Sequence, residues 1–291
     1  ATLGQRTTPG NADLIVVGSL AEQNLGRWPE ALEHLRQARR LDPRSAQTAR
    51  RLGTCLLFLR RYPEAREVFD YTMSLAPTNV TALENKAMVF LAQGDLAGAR
   101  TVLRSAPEIE PASLVAYFAT FYDLYWALDE EHMKLLLGLG PEPFDGDRGV
   151  WGLALAGAYG LRGDQTRARA YADSARIAIE EQLQVTSQDP AVHSALGMAL
   201  AYLGRKSEAI QEGERAVALT PIATNGFAGP YFQHQLARSY ILLGEPEKAL
   251  DQLEPLLKIP YFVSPGWLKV DPTFDPLRKN PRFLKLVEGT S

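Results

Sequence analysis

Apolar residues recur through most of the chain at spacings of three and four, the pattern of helices that bury one face. In residues 12–24, Leu14, Val17 and Leu20 fall on one side of such a helix. The turn after this stretch contains glycine and proline, and residues 30–41 show the same spacing again. The pattern therefore predicts an antiparallel helix pair at the start of the chain.

This helix pair repeats along the chain. Ala31, Ala65 and Ala99 follow one another at intervals of 34 residues, and each is followed four positions later by a large apolar residue. The large apolar residues are Leu35, Phe69 and Leu103, and each unit closes on a proline, Pro43, Pro77 or Pro111. A second unit is thus predicted at residues 46–79 and a third at residues 80–113.

Small residues stand at one fixed position in the first helix of each unit. Gly53 occupies this position in the second unit and Ala87 in the third. A small side chain lets the facing helix approach closely, so a leucine at Gly53 should overpack the contact. The equivalent residues of the later units are Ala156, Gly197 and Ala237.

The fourth unit departs from the pattern. Residues 117–126 contain six aromatic residues in ten, and a short helix is predicted from Met133 to Leu139. Residues 138–148 are rich in glycine, proline and aspartate and should form a loop between two groups of repeats. The spacing leaves two interpretations of the aromatic cluster open: it fills space in an irregular repeat, or it forms a patch that contacts a ligand.

The 34-residue period, with its small residue, large apolar residue and closing proline at fixed positions, resembles the tetratricopeptide repeat. The resemblance implies an all-α, right-handed α-solenoid of about seven helix pairs with a C-terminal cap. The predicted segments are a lead-in at residues 1–11, an N-terminal array at 12–137 whose last unit is degenerate, a loop at 138–148, a C-terminal array at 149–260 and a capping segment at 261–291.

The resemblance also implies where a partner would bind. In the tetratricopeptide family the first helices of the pairs line the concave face, so their inward residues should form a groove for a protein segment. The lysine and asparagine clamp that some members use for a peptide carboxylate is not reproduced, because Val16 and Leu20 stand at those places in the first repeat. The predicted groove residues are Arg50, Arg51, Thr54, Glu84, Asn85, Met88, Ser194, Met198, Tyr202, Tyr231, His234, Gln235 and Arg238.

The C-terminal segment carries a second resemblance. Tryptophan, leucine, Asp-Pro, Asp-Pro-Leu-Arg, proline and phenylalanine follow one another between Trp267 and Phe283. This order is similar to the ending of tetratricopeptide arrays behind bacterial serine/threonine kinases, adenylate cyclases and winged-helix regulators. It implies a regulatory role for the array and no activity of its own, since the catalytic and DNA-binding motifs of those proteins do not occur in this sequence.

The distribution of charge along the chain favours some classes of partner over others. The net charge of −3 argues against general binding of nucleic acid, whereas residues 27–66 hold ten arginines and four acidic residues. This local excess of positive charge fits a solvated helix surface or a site for an acidic protein partner. The sequence has no apolar run near the roughly 18 residues that cross a bilayer, and its single cysteine, Cys55, cannot form an intrachain disulfide.

No constellation of residues for catalysis or metal binding appears in the sequence. The four histidines are scattered, and neither a phosphate-binding loop nor a nucleophile elbow occurs. We therefore expect no enzyme activity, no cofactor and no metal, and a protein or peptide as the partner. Three roles stay open: a scaffold that holds a protein segment, the sensory or regulatory arm of a larger bacterial signalling enzyme, and a self-associating structural array. The oligomeric state and the compartment stay open as well, with a soluble protein of the cytoplasm favoured slightly over the periplasm.

Overall fold

The computed structural model describes residues 11–105 and 108–288 of the chain. Within these residues the secondary structure is helical and contains no β-strand, so the predicted all-α solenoid is confirmed. The first three helix pairs are α1 (Ala12–Asn24) with α2 (Trp28–Leu41), α3 (Ala46–Phe58) with α4 (Tyr62–Leu75), and α5 (Val80–Ala92) with α6 (Leu96–Arg104).

The fourth unit is irregular, as the sequence predicted. It consists of α7 (Pro111–Thr120), a 3-10 turn (Leu124–Ala127) and α8 (Glu130–Gly138). Helix α8 begins three residues before the predicted start at Met133, because Asp129 caps it by accepting a hydrogen bond from the amide of His132 at 3.1 Å. A second 3-10 turn (Glu142–Phe144) lies in the loop that follows.

Regular pairs resume after this loop. Helix α10 extends to Val185 and is longer than the second helices of the first three pairs. The remaining helices are α9 (Arg148–Leu161), α10 (Gln165–Val185), α11 (Pro190–Tyr202), α12 (Lys206–Leu219), α13 (Gly229–Leu242), α14 (Pro246–Leu256), α15 (Pro265–Val270), a 3-10 helix (Pro272–Leu277) and α16 (Pro281–Glu288). The division into two arrays around residues 138–148 stays a prediction, and residues 1–10 of the predicted lead-in lie outside the described residues.

Side-chain caps fix where the first helices of the early pairs begin. Asn11, Ser45 and Asn79 each accept a hydrogen bond from the backbone amide three residues later, at 3.2, 3.1 and 2.9 Å. Each cap satisfies one of the amides that have no partner within the helix. The capping residues therefore hold the first helices in a constant register from one repeat to the next.

The small-residue position marks a close helix contact, as predicted. A Cβ atom built on Gly53 would lie 2.6 Å from the ring of Phe69, and a Cβ on Gly197 would lie 3.0 Å from the backbone nitrogen of Gly213. Gly53 therefore leaves room for the ring of Phe69 from the facing helix, and Gly197 lets the backbones of its two helices pack directly against each other.

The end of the chain packs on the last regular pair. Arg282 of α16 donates to Glu247, Asp251 and Glu254 of α14 at 2.7, 2.9 and 3.0 Å, and the ring of Phe283 is buried. This part of the tail covers the last repeat, which agrees with the predicted C-terminal cap. The residues between α14 and the 3-10 helix take a different path, described below.

Candidate partner-binding groove

The segment after α14 runs away from the last repeat and across the inner side of the superhelix. We call residues 257–270 the strap. The carbonyl oxygen of Val263 accepts a hydrogen bond from Arg60 Nη2 at 3.3 Å, and the hydroxyl of Ser264 donates to the carbonyl oxygen of Ala92. The strap therefore joins the last helix pair to the second and third pairs.

The strap approaches α5 at backbone distance. A Cβ atom on Gly266 would lie 2.8 Å from the nitrogen of Gly94 and would also collide with the carbonyl of Ala92. Only glycine leaves room for this contact. The strap can thus follow this path only with a glycine at position 266.

Aromatic rings anchor the strap on both sides. Tyr261 meets Phe58 edge-on at 5.9 Å between ring centroids, and Phe262 meets Tyr122 at 5.0 Å. Trp267 packs in the same way against Trp126 at 5.7 Å. Edge-to-face pairs at these separations are attractive, so the strap fills the inner side of the N-terminal pairs with buried aromatic surface.

A second contact closes the superhelix between its first and last repeats. The amide of Gly226, in the loop before α13, donates to the carbonyl oxygen of Asn24 at 2.7 Å. The ring of Phe227 stacks on Phe58 at 5.5 Å and on Trp28 at 6.3 Å. The inner surface is consequently a bounded groove with its own strap as one wall.

A polar network lies at the middle of this groove. Arg238 Nη1 donates to Asp123 Oδ2 at 2.5 Å, and Arg238 Nη2 donates to the hydroxyl of Tyr125 at 3.1 Å. Gln235 Nε2 donates to the same oxygen of Asp123 at 2.5 Å, and the hydroxyls of Tyr125 and Tyr202 lie 3.4 Å apart. The network places a paired charge and several hydroxyl groups along the groove.

Three open spaces adjoin one another along the groove. A central cleft of about 180 Å³ contacts the polar network, and it shares Thr120 and Tyr231 with an apolar space of about 330 Å³ on one side. It shares Met198 and Tyr202 with a distal cleft of about 360 Å³ on the other side, which is lined in part by Pro272. We call the apolar space the aromatic basin, and its rings are those of Phe58, Phe121, Tyr122, Phe227, Tyr231 and Tyr261.

The structure places the predicted groove residues in two settings. The residues that border the central cleft are Ser194, Met198, Tyr202, Tyr231, Gln235 and Arg238. The residues of the N-terminal pairs and His234 do not border this cleft: Thr54, Glu84, Asn85, Met88 and His234 are buried elsewhere, and Arg50 and Arg51 are half-buried. The role of all these residues in partner binding stays a prediction.

Two of the buried residues are ionisable groups held in an apolar setting. Burial raises the pKa of the Glu84 carboxyl well above its usual range, the charge of Asp123 adds to the effect, and neither carboxyl oxygen has a hydrogen-bond partner. Burial, together with the charge of Arg238, lowers the pKa of His234 to about 3. Both side chains therefore favour their neutral forms near neutral pH.

The aromatic cluster at residues 117–126 is divided between the interior of the irregular unit and the aromatic basin. Phe118, Tyr125 and Trp126 are buried and fill the irregular unit. Phe121 is 50% exposed, and its ring forms one wall of the aromatic basin. Its contact with a ligand stays a prediction.

Sequence reasoning missed Asp123 and the strap as parts of the groove. Asp123 has a left-handed backbone, with φ at 56°, as does Tyr122 before it. Such a pair of residues seldom adopts this conformation, so no local pattern predicted that the carboxylate would turn towards Arg238. The aromatic residues of the strap were visible in the sequence, but their partners lie about 140 to 200 residues away in the chain.

Across residues 11–105 and 108–288, no three side chains from histidine, cysteine, aspartate and glutamate come together as metal ligands. Among the helices described, none combines the length and apolar character needed to span a bilayer.

Comparison with known proteins links the chain to one repeat family. A family model described as tetratricopeptide repeat matches residues 19–79 and 56–113, and a second model with the same description matches residues 230–255. Among curated proteins, the chain is 25% identical over 261 residues to the CTR9 homolog of Arabidopsis thaliana, covering 87% of this chain and 23% of that protein. The chain thus spans about a quarter of the length of this relative.

Solved structures include similar chains. A tetratricopeptide-repeat protein from Parabacteroides merdae is 16% identical, covers 86% of this chain and 93% of its own, and has a TM-score of 0.42. A thermophilic tetratricopeptide-repeat protein from Thermus thermophilus is 22% identical, with coverages of 74% and 91% and a TM-score of 0.37. The hetero-tetramer Cut9–Hcn1 of the APC/C is 14% identical, with coverages of 98% and 50% and a TM-score of 0.46.

Proposed function

We propose that this chain, which tetratricopeptide-repeat models match at residues 19–79, 56–113 and 230–255, is a non-catalytic scaffold that holds an extended segment of a partner protein in its inner groove. The observation that carries the proposal is the continuity of the aromatic basin, the central cleft and the distal cleft. Together they form a path beside the strap along which an extended chain fits. The strap and the partner segment then share the inner surface of one superhelix.

The lining of the path suits a peptide. Aromatic rings at one end offer apolar surface, and the hydroxyls of Tyr125 and Tyr202 with the amide of Gln235 offer hydrogen bonds in the middle. An extended backbone needs such donors and acceptors because its own amides and carbonyls are unpaired. Binding sites of this kind combine apolar walls with a few polar groups.

The experiment is a selection of phage-displayed random peptides of about twelve residues, the length of chain that extends along several repeats, on the whole protein. The selected peptides are then titrated against Ser194→Trp, which places an indole in the central cleft. Ser187→Trp, at an exposed position in the turn before α11, is the matched control. The proposal predicts that Ser194→Trp weakens binding and that Ser187→Trp does not. Equal binding to both variants would overturn it.

The ending of the chain supports a second candidate function. The residues from Trp267 to Phe283 are similar to the ends of arrays attached to bacterial signalling enzymes, which favours a regulatory arm. The reading frame on either side of this chain in its gene tests this candidate. A kinase or cyclase domain in that frame supports it, and a frame without such a domain rejects it.

A further inference from the structure

The aromatic basin presents apolar surface that the chain itself leaves uncovered. Phe121 is 50% exposed at its rim, and Phe227 and Tyr231 are half-buried in its walls. A cavity of about 150 Å³ is enough to hold a benzene molecule, and the basin measures about 330 Å³. One aromatic side chain of another molecule therefore fits between these rings.

Two arginines stand beside the basin on α3. Arg51 precedes Phe58 by seven residues, so both side chains lie on nearly the same face of the helix, about 10 Å apart along its axis. Arg50 lies next to Arg51; burial raises the pKa of Tyr117 and of the basin residue Tyr122, and the nearby charge of Arg50 opposes this rise at both phenols. The basin is thus bordered by two positive charges.

Neither positive charge is neutralised within the structure. Throughout residues 11–105 and 108–288, no carboxylate oxygen lies within 4.0 Å of the guanidinium of Arg50 or Arg51, and Arg51 Nε is buried with no hydrogen-bond partner. Asp123 is engaged by Arg238. The carboxyl of Glu84 favours its neutral form because burial raises its pKa.

The combination of ring-lined space and unpaired arginines points to one kind of occupant. We infer that the aromatic basin takes an aromatic side chain from an acidic segment of a partner protein, and that neighbouring carboxylates of this segment bind Arg50 and Arg51. Arginine and carboxylate form charge-assisted, two-point hydrogen bonds. This inference rests on the proposed function, because it names the chemistry of the segment that the groove holds.

The test uses the peptides selected on the whole chain. The selected pool should be enriched in sequences with an aromatic residue close to two or more aspartates or glutamates. Arg50→Glu combined with Arg51→Glu should weaken the binding of such a peptide about tenfold or more, with a larger effect at low salt than at high salt. Phe121→Ala should weaken it by a factor that does not depend on salt.

Matched control variants distinguish an effect at the aromatic basin from a general effect of changing charge or apolar surface. Arg40→Glu with Arg44→Glu makes the same charge change at exposed positions at the end of α2 and in the turn after it, and Ile177→Ala removes a comparably exposed apolar side chain from α10. Both should bind like the parent. If the charge-swapped groove variant loses helical content, Arg50→Gln with Arg51→Gln replaces it, with a smaller predicted loss of affinity.

Two results would overturn the inference in different ways. Peptides that depend on the central cleft but show no preference for acidic and aromatic residues, or that bind the folded arginine variants unchanged, would reject the basin assignment and leave the scaffold intact. Peptides that bind without any dependence on the central cleft would reject the proposed function and the basin assignment together.

Discussion

Asp123 and Arg238 lie 115 residues apart in the chain and form an ion pair at 2.5 Å in the middle of the groove. The guanidinium of Arg238 is buried, whereas the side chain of Asp123 is 26% exposed. The pair connects the irregular fourth unit to the last regular repeat. Its two members therefore contribute unequally to stability.

The first prediction concerns the unequal contributions of Asp123 and Arg238 to stability. Asp123→Asn leaves a buried arginine without its counter-charge and should destabilise the protein by about 3 kcal/mol or more. Arg238→Met leaves only a partly exposed carboxylate and should cost less. The double variant should be more stable than Asp123→Asn alone. Urea unfolding of the three variants measures the order, and equal losses in both single variants would contradict it.

Much of the fold could be predicted because the repeat is a local pattern. The constant spacing of Ala31, Ala65 and Ala99 and the glycine at position 53 locate the helix pairs and their closest contacts. The closure of the groove could not be predicted, because it depends on contacts between distant residues. Nothing in the sequence around Gly266 indicates that this residue packs against the backbone of Gly94.

The candidate site was predicted in part for the same reason. The resemblance to a repeat family identified inner-face positions such as Met198 and Arg238, and these border the central cleft. It could not show that Met88 and His234 are buried, since the strap and the irregular unit fall outside the repeat pattern. The place of Asp123 in the groove could not be predicted, because it depends on a left-handed backbone conformation at this residue.

The second prediction concerns the helix contact at Gly53. Because a Cβ atom there would already lie 2.6 Å from the ring of Phe69, Gly53→Leu should destabilise the protein by about 1–3 kcal/mol through overpacking. Gly138→Leu is the control, since a Cβ at Gly138 meets nothing within 4 Å. An unfolding midpoint of Gly53→Leu equal to that of the control would show that the contact tolerates a side chain.

The third prediction concerns acid stability. The pKa of His234 is lowered to about 3 in the folded protein, against about 6.5 in an unfolded chain. The unfolded state therefore binds a proton first as the pH falls, and folding stability is lost between about pH 6.5 and pH 3. His234→Gln removes this proton uptake, so its unfolding midpoint should fall less than that of the parent over this pH range.

The contacts of His234 suggest where the acid effect begins. Its Nδ1 lies 3.3 Å from the hydroxyl of Tyr261 in the strap, and its ring stacks on Phe274 at 6.1 Å. Protonation should loosen the strap before the repeats unfold. Parallel loss of stability in the parent and in His234→Gln would assign the acid sensitivity to other groups.

The fourth prediction concerns the strap itself. Gly266→Val should displace it from α5, because the backbone of Gly94 leaves no room for a side chain. The aromatic residues beneath the strap would become accessible, and binding of a dye specific for apolar surface should rise. Gly138→Val should leave dye binding unchanged. A Gly266→Val variant with the dye binding and stability of the parent would mean that the strap accommodates the change.

The most direct test of the scaffold is the crystal structure of the whole chain with a selected peptide bound. We predict an extended peptide running through the aromatic basin, the central cleft and the distal cleft, with the strap still in contact with Ala92. A peptide on the outer helices, or one that occupies the path of a displaced strap, would contradict it.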